Sequence, residues 1–241
     1  QSGNPLQDVK DLLANKPWLI LFALAMIVMI TITLRGGSSY YFFKYYVGRP
    51  DLIPNYLFVQ LLALLVGAAV TPLLTKFIDK TKLLLILMVG VGVFSLAFYF
   101  VPKNAIWMMF TLNILISLCL GPKSPLTWSM YADSADYTEW KTGRRATGMT
   151  FSAATFSQKL GGAIGSAAML WVLAGFGYVA NEAQSNASQT GIQLLQTIIP
   201  GVFAAIAAAV VVFYPLTADK LEEIQIELKE RQANENPGEQ T

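Results

Sequence analysis

The sequence predicts an all-α membrane protein with six transmembrane helices, and three observations support this prediction. Hydrophobic residues make up 54% of the 241-residue chain and charged residues only 13%, whereas charged residues approach a quarter of an ordinary globular domain. The mean hydropathy is correspondingly high, at +0.49. The apolar residues are also concentrated in runs long enough to cross a hydrocarbon core, which takes about 20 residues of helix. Outer-membrane barrels are excluded because their strands give short alternating patterns instead of long runs.

The elements follow in order along the chain. A polar, amphipathic segment over residues 5–16 is interpreted as a linker helix on the membrane surface. Pro17 then stands at a helix-start position and opens the first span. The six predicted spans cover residues 18–46, 53–77, 83–101, 105–131, 146–178 and 192–214. The fourth span is interrupted by Gly121, Pro122 and Pro125.

A short helix is predicted after the last span. Asp219 and Glu222 have the spacing of a capping box, and Leu221, Ile224 and Leu228 mark one face of the helix that follows. Residues 233–241 are predicted to be disordered. The predicted organisation is therefore a cytoplasmic linker over residues 1–16, a six-helix bundle over 17–216, and a cytoplasmic amphipathic helix with its tail over 217–241.

The charges in the loops predict the orientation. One set of connections carries most of the basic residues, namely Lys10, Lys16, Lys76, Lys80, Lys82, Lys141, Arg144, Arg145, Lys220, Lys229 and Arg231. The other set carries only Lys44, Arg49 and Lys103. By the positive-inside rule, both termini are predicted to be cytoplasmic in an inner membrane. The chain begins without a methionine. We therefore interpret it as a piece of a longer protein.

Three basic residues lie inside predicted spans: Arg35, Lys123 and Lys159. A charge at that depth costs at least ~2.5–3.5 kcal/mol on insertion scales, so it usually faces a cavity or a partner. Lys159 and Thr155 are four residues apart and share a helix face. Together they offer an ammonium and a hydroxyl, which suit a polyhydroxylated ligand or a carboxylate. The alternative is a lysine that snorkels to the interface.

Other candidates for ligand binding surround this pair. Gln158 adds a polar group beside Lys159, and Trp128 is a candidate for stacking on a sugar ring, with an interfacial tryptophan as the alternative. Arg35 precedes two glycines, where a helix can bend beside a cavity, so it is predicted to line the same pathway. Gly161 and Gly165 have small-xxx-small spacing, which predicts close helix packing.

An acidic stripe lies between the fourth and fifth spans. Asp133, Asp136 and Glu139 repeat every three residues and are followed by Arg144 and Arg145. Carboxylates beside basic residues at a cytoplasmic mouth predict a salt-bridged gate, and the loop with Asp79 is a shorter version of it. Structural charge pairing alone is the alternative.

The sequence argues against an enzyme and predicts no cofactor, no bound metal and no nucleic-acid partner. It contains no histidine, the commonest base and metal ligand at neutral pH. An intramembrane hydrolase that uses the acidic stripe would lack an accompanying nucleophile, base or metal set. The single cysteine, Cys119, cannot form an internal disulfide.

Several stretches resemble the glycoside–pentoside–hexuronide:cation symporters, the melibiose-permease-like branch of the major facilitator superfamily. They are WSMYADSADYTEWKTGRRATG over residues 128–148, FSQKLG over 156–161, and YYFFKYYVG over 40–48. The resemblance implies a carrier of twelve helices in two six-helix halves, with substrate bound between them. This chain would be the C-terminal half, and its partners would be the N-terminal half, the bilayer, a sugar or glycoside and a coupling cation.

The resemblance also implies roles for single residues. Lys159 and Thr155 fall where the family has a lysine and a threonine that face the sugar and cation cavity. The family's cation-binding aspartates belong to the other half, so the Na⁺ or H⁺ site is expected outside this chain. The alternatives are a carrier of lipid or another amphiphile on the same scaffold, and a stand-alone six-helix protein that dimerises.

Overall fold

The computed structural model describes residues 5–143 and 147–235. Over these ranges the chain is helical, without a strand. The α-helices are α1 (Pro5–Ala14), α2 (Lys16–Tyr41), α3 (Ile53–Leu74), α4 (Lys80–Tyr99), α5 (Ile106–Leu120), α6 (Lys123–Thr142), α7 (Thr147–Gly175), α8 (Asn186–Gln196), α9 (Ile198–Val212) and α10 (Ala218–Glu235). A π-helical segment, Phe42–Val47, extends α2, and a 3-10 turn, Pro50–Leu52, leads into α3.

The predicted all-α class is confirmed over the described residues, and the structure is roughly consistent with the predicted count of six spans. Five stretches are long and apolar enough to cross a membrane, and they are Lys16–Val47, Pro50–Leu74, Lys80–Tyr99, Ile106–Thr142 and Asn186–Val212. The sixth segment is α7, which is 29 residues long and packs along α2. It is less apolar than the others because serine, threonine, glutamine and lysine side chains interrupt its hydrophobic sequence.

Two spans differ in extent from the prediction. The fourth is interrupted at Gly121 and Pro122, between α5 and α6, and then continues past Tyr131 to Thr142, where Gly143 ends the helix at a φ of 70°. Glycine adopts this left-handed conformation without steric cost. The sixth begins at Asn186, earlier than predicted, because the polar segment before Ile192 is also helical. Polar residues therefore extend two of the spans beyond their apolar parts.

Close helix contacts hold α7 against α2. A Cβ atom on Gly161 would collide with the carbonyl oxygen of Met26, and one on Gly165 would lie 3.1 Å from the Cα of Ile30. The predicted close packing at this small-xxx-small pair is thus confirmed. A second contact joins α3 to the junction of α5 and α6, where Gly67 and Gly121 face each other.

Candidate functional site

A row of polar residues lies on the exposed side of α7, next to exposed apolar side chains such as Phe156 and Leu170. Ser152, Thr155, Lys159 and Ser166 are all exposed, and their spacing of three, four and seven residues places them along one side of the helix. The opposite side carries the buried Gly161 and Gly165. The same helix therefore presents a tightly packed face to α2 and, on its exposed side, a row of four polar residues, which we call the α7 stripe.

Lys159 lies well inside the span. It follows Thr147, the first residue of α7, by twelve residues, which is about 18 Å along the helix axis. Its side chain is exposed, and no residue that the structure describes forms a hydrogen bond or ion pair with its ammonium group. The Thr155 hydroxyl, one turn earlier, donates to the carbonyl of Phe151 at 3.0 Å and retains lone pairs for accepting. Gln158 is half-buried beside them.

Trp128 lies where α6 meets α7. Its ring stacks on Phe151 with centroids 5.7 Å apart and an interplanar angle of 21°. It also contacts Tyr131, whose hydroxyl donates to the Leu21 carbonyl of α2 at 3.0 Å. The indole is partly buried, and the rest of the ring is exposed. The structure therefore brings Trp128 next to α7, one turn before Thr155.

Arg35 lies in a different environment from Lys159. It is only 1% exposed, and its Nη2 donates to the Asn113 side-chain oxygen at 3.2 Å. Nε and Nη1 have no hydrogen-bond partner among the described residues. Asn113 in turn donates to the Tyr56 carbonyl at 3.2 Å. The predicted substrate residue is thus enclosed within this bundle and does not share the α7 stripe.

The polar cluster around Arg35, which we call the Arg35 network, extends to the sixth span. The Ser38 hydroxyl donates to Gln196 Oε1 at 2.6 Å, and Gln196 Nε2 donates to the Tyr56 hydroxyl at 3.1 Å. The Ser39 hydroxyl donates back to the Arg35 carbonyl at 2.7 Å. Four spans are joined by these bonds, and the partners of the guanidinium are neutral.

An ion pair connects α4 to α6 at the predicted gate. Lys80 Nζ lies 2.7 Å from Asp133 Oδ2, and Asp133 is almost completely buried. Asp79 instead caps α4, since its side chain accepts from the backbone N–H groups of Thr81 and Lys82 at 2.9 and 3.2 Å. One predicted gate carboxylate is thus paired with a lysine, and another stabilises the helix start.

Asp136 and Glu139 continue the acidic stripe along α6 and are both half-buried. The two arginines predicted to pair with this stripe, Arg144 and Arg145, lie outside the described residues. Their part in the gate stays a prediction.

Sequence reasoning missed the contacts that α10 makes with this end of α6. The Trp140 indole N–H donates to Glu227 at 2.6 Å, and Arg231 donates to the Trp140 carbonyl at 2.9 Å. Lys220 lies 4.9 Å from the centre of the same ring. Ile224 is fully buried. The predicted apolar face of α10 signals that the helix docks somewhere, but no local pattern identifies α6 as the surface it docks on.

The described residues contain no group of three or more His, Cys, Asp or Glu side chains placed to hold a metal ion. The α7 stripe offers hydroxyl and ammonium groups, with the Gln158 amide beside them, and these groups form hydrogen bonds and charge pairs. These groups are suited to binding and orienting a polar ligand.

Comparison with known proteins places the chain among transporters. Residues 1–218 match the family described as MFS/sugar transport protein. The chain is 33% identical to the putative glycoside/cation symporter YagG of Escherichia coli K12, over 94% of this chain and 50% of that protein. It is 31% identical to the inner membrane symporter YicJ of the same organism, over 92% and 49%. It is 34% identical to the isoprimeverose transporter of Lactiplantibacillus pentosus, over 95% and 48%. The chain spans about half the length of the curated relatives it matches.

Proposed function

Because this chain belongs to the MFS/sugar transport protein family, we propose that it forms one six-helix half of a carrier that moves a sugar or glycoside together with a cation. Members of this family are transporters and not enzymes. The relatives named above are described as glycoside, inner membrane and isoprimeverose carriers. The half-length match supports a second six-helix half as the partner, with the substrate between the two.

The observation that carries the proposal is the environment of Lys159. An exposed ammonium lies deep in a span, one turn from Thr155, and no described residue pairs with it. Cations at such depth usually face a water-filled cavity or a partner. A sugar hydroxyl or a sugar carboxylate would accept a charge-assisted hydrogen bond from it. We therefore assign Lys159 and Thr155 to the substrate cavity, with Gln158 beside them.

Trp128 and Arg35 are weaker candidates for the same cavity. The exposed part of the Trp128 indole is available for stacking on the apolar face of a sugar ring. Arg35 reaches a ligand only if the Arg35 network opens during transport. The two residues are therefore expected to affect transport in different ways.

The coupling cation, Na⁺ or H⁺, is proposed to bind mainly to the other half. In the described spans, Asp and Glu occur only at a helix start, as Asp51, and toward the end of α6. A carboxylate near mid-depth would have to come from residues outside this chain.

The charged end of α6 is proposed to act as the cytoplasmic gate. It comprises Asp133, Asp136 and Glu139, with Lys80 already paired to Asp133 at 2.7 Å. The distribution of basic residues among the loops supports an inner-membrane protein with both termini in the cytoplasm. The proposed division into linker, bundle and cytoplasmic tail helix follows the same orientation.

Uptake by the full-length carrier tests this function. The carrier would be expressed in cells that lack related transporters and given radiolabelled xylosides, glucuronides and galactosides. Uptake would be measured with a Na⁺ gradient, with a proton gradient and with both gradients collapsed. Accumulation of one of these sugars, driven by one of the two gradients, is expected. Lipid or detergent-like substrates transported in place of every sugar would replace the proposal with an amphiphile carrier.

A further inference from the structure

Asn15 lies at the junction between α1 and α2 and is buried, with 3% of its surface exposed. Its side-chain oxygen accepts a hydrogen bond from the Trp18 backbone N–H at 2.9 Å and so caps α2. Its side-chain nitrogen donates to the Ser134 carbonyl at 2.9 Å, to the Ser134 hydroxyl at 3.1 Å and to the Thr138 hydroxyl at 2.7 Å. One amide group therefore binds the start of α2 and the far end of α6.

Capping alone does not require asparagine at this position. Serine, threonine and aspartate cap helices as well, because each supplies an oxygen that accepts from the first turn. Asparagine differs in carrying two N–H donors in addition to its oxygen. Here those donors are used on α6, which lies 119 residues later in the sequence. The amide thus has a second role that the other capping residues cannot fill in the same way.

The α6 residues that bond to Asn15 lie between the carboxylates of the proposed gate. Ser134 and Thr138 are one turn apart, and Asp133, Asp136 and Glu139 lie among them on the same helix segment. The start of α2 also holds α7, since the Trp18 indole N–H contacts the Thr150 carbonyl at 3.4 Å. On the other side of the junction, the Asn15 backbone N–H donates to the Leu12 carbonyl of α1 at 3.1 Å. Asn15 therefore forms hydrogen bonds both to α1 and to the second half of α6.

We propose that Asn15 is a positioning residue of the cytoplasmic gate, coupling α1 to the charged end of α6. The proposal rests on the transport function proposed above. Asn15 acts through Ser134 and Thr138 and does not touch the substrate. It keeps the carboxylates of α6 in register with Lys80 while the two halves of the carrier move.

Two substitutions separate capping from coupling in the full-length carrier. Asn15→Ser and Asn15→Asp both keep an oxygen that caps α2, but neither retains the pair of amide donors. Ser185→Ala is the matched control, because the Ser185 hydroxyl caps α8 at 3.1 Å from the Ser188 N–H and has no bond to α6. A third variant, Thr138→Val, removes one acceptor from the α6 side.

The expected result is a slower carrier with an unchanged binding site. Asn15→Ser and Asn15→Asp should insert normally and bind substrate with a Kd within about twofold of wild type, while maximal uptake falls about fivefold or more. Amide hydrogen exchange over residues 131–143 should accelerate about tenfold, as expected from the loss of one or two hydrogen bonds. Combining Asn15→Ser with Thr138→Val should add little to either single change.

Several outcomes would overturn the proposal. Wild-type uptake and exchange in Asn15→Ser would show that the amide only caps α2. An equal loss of uptake in Ser185→Ala would show that any weakened cap has the same effect. If the Asn15 variants fail to insert, normal exchange and uptake in Thr138→Val would also contradict it. Failure of the wild-type carrier to transport any sugar would instead remove the proposed function, and the exchange measurement would still test the coupling.

Discussion

Lys159 and Arg35 are two cations inside spans of the same bundle, and they lie in opposite environments. Lys159 is exposed on the α7 stripe, without a partner among the described residues. Arg35 is 1% exposed and is surrounded by neutral groups from four spans. The sequence selected both residues for the same reason, because each is a charged residue inside an apolar span. Depth in the membrane therefore does not distinguish a cation that is exposed from one that is enclosed by the bundle.

The difference suggests different consequences of mutation. A cation that meets a ligand contributes to binding and transport but little to folding. A buried guanidinium that is enclosed by several helices contributes to the stability of the bundle, because its removal leaves the enclosed Asn113 side-chain oxygen without its donor. Four predictions test or sharpen this contrast.

The largest effect is expected at Lys159. Lys159→Ala or Lys159→Gln in the full-length carrier should abolish cation-driven accumulation of sugar and leave membrane insertion intact. The loss of a charged hydrogen-bond partner typically costs ~1.5–3 kcal/mol, which is about a ten- to a hundredfold drop in affinity. Lys103→Gln, which removes an exposed cation that contacts Gln189, is the control. Wild-type accumulation by Lys159→Ala at equal expression would show that the lysine only snorkels.

Arg35→Ala should act on stability in the first place. The change breaks the bond to Asn113, leaves that amide without its donor and opens a cavity, so we expect a loss of about 2–4 kcal/mol in unfolding free energy. Thermal unfolding of the purified carrier measures it. Arg49→Ala, which removes an exposed arginine paired with Asp51 at 2.7 Å, should change stability by less than about 1 kcal/mol. Reduced sugar affinity with unchanged stability would instead place Arg35 on the substrate, as the sequence predicted.

The close packing of α7 against α2 provides the next test. Gly161→Ala should destabilise the bundle by about 1–3 kcal/mol, because the new Cβ collides with the Met26 carbonyl and forces α7 away from α2. Gly162→Ala is the matched control, since a Cβ there would lie 3.7 Å from the nearest atom, the Thr33 hydroxyl. Thermal unfolding of both variants gives the comparison. Equal stabilities of the two variants would show that α7 moves away from α2 without a loss of unfolding free energy.

The smallest effect is expected at Asp136. Its side chain is half-buried, between the exposed Lys159 and the enclosed Arg35. If it belongs to the gate, Asp136→Asn should lower the transport rate several-fold and change equilibrium sugar binding by less than about twofold. Exchange assays and binding titrations on the full-length carrier separate the two quantities. A large loss of affinity with an unchanged exchange rate would remove Asp136 from the gate.

Local patterns were sufficient for much of the fold. The number of spans follows from apolar runs, because a helix in lipid must satisfy its backbone internally and needs a minimum length. The packing of Gly161 and Gly165 against α2 follows from their spacing, since only small residues allow such an approach. The depth of Lys159 follows from its position within an apolar helix. The extent of α6 did not follow, because its acidic second half has the composition of a loop.

The sequence by itself determined which residues carry charge and how deep they lie, and the tertiary structure decided what surrounds them. Arg35 meets Asn113, and Asn15 meets Ser134, across 78 and 119 residues. The packing of α10 against Trp140 bridges 87 residues. Helical periodicity describes one helix at a time and contains no information about the neighbour that each face meets. Whether a polar side chain is enclosed by other helices or left facing a cavity is therefore settled only when the helices pack.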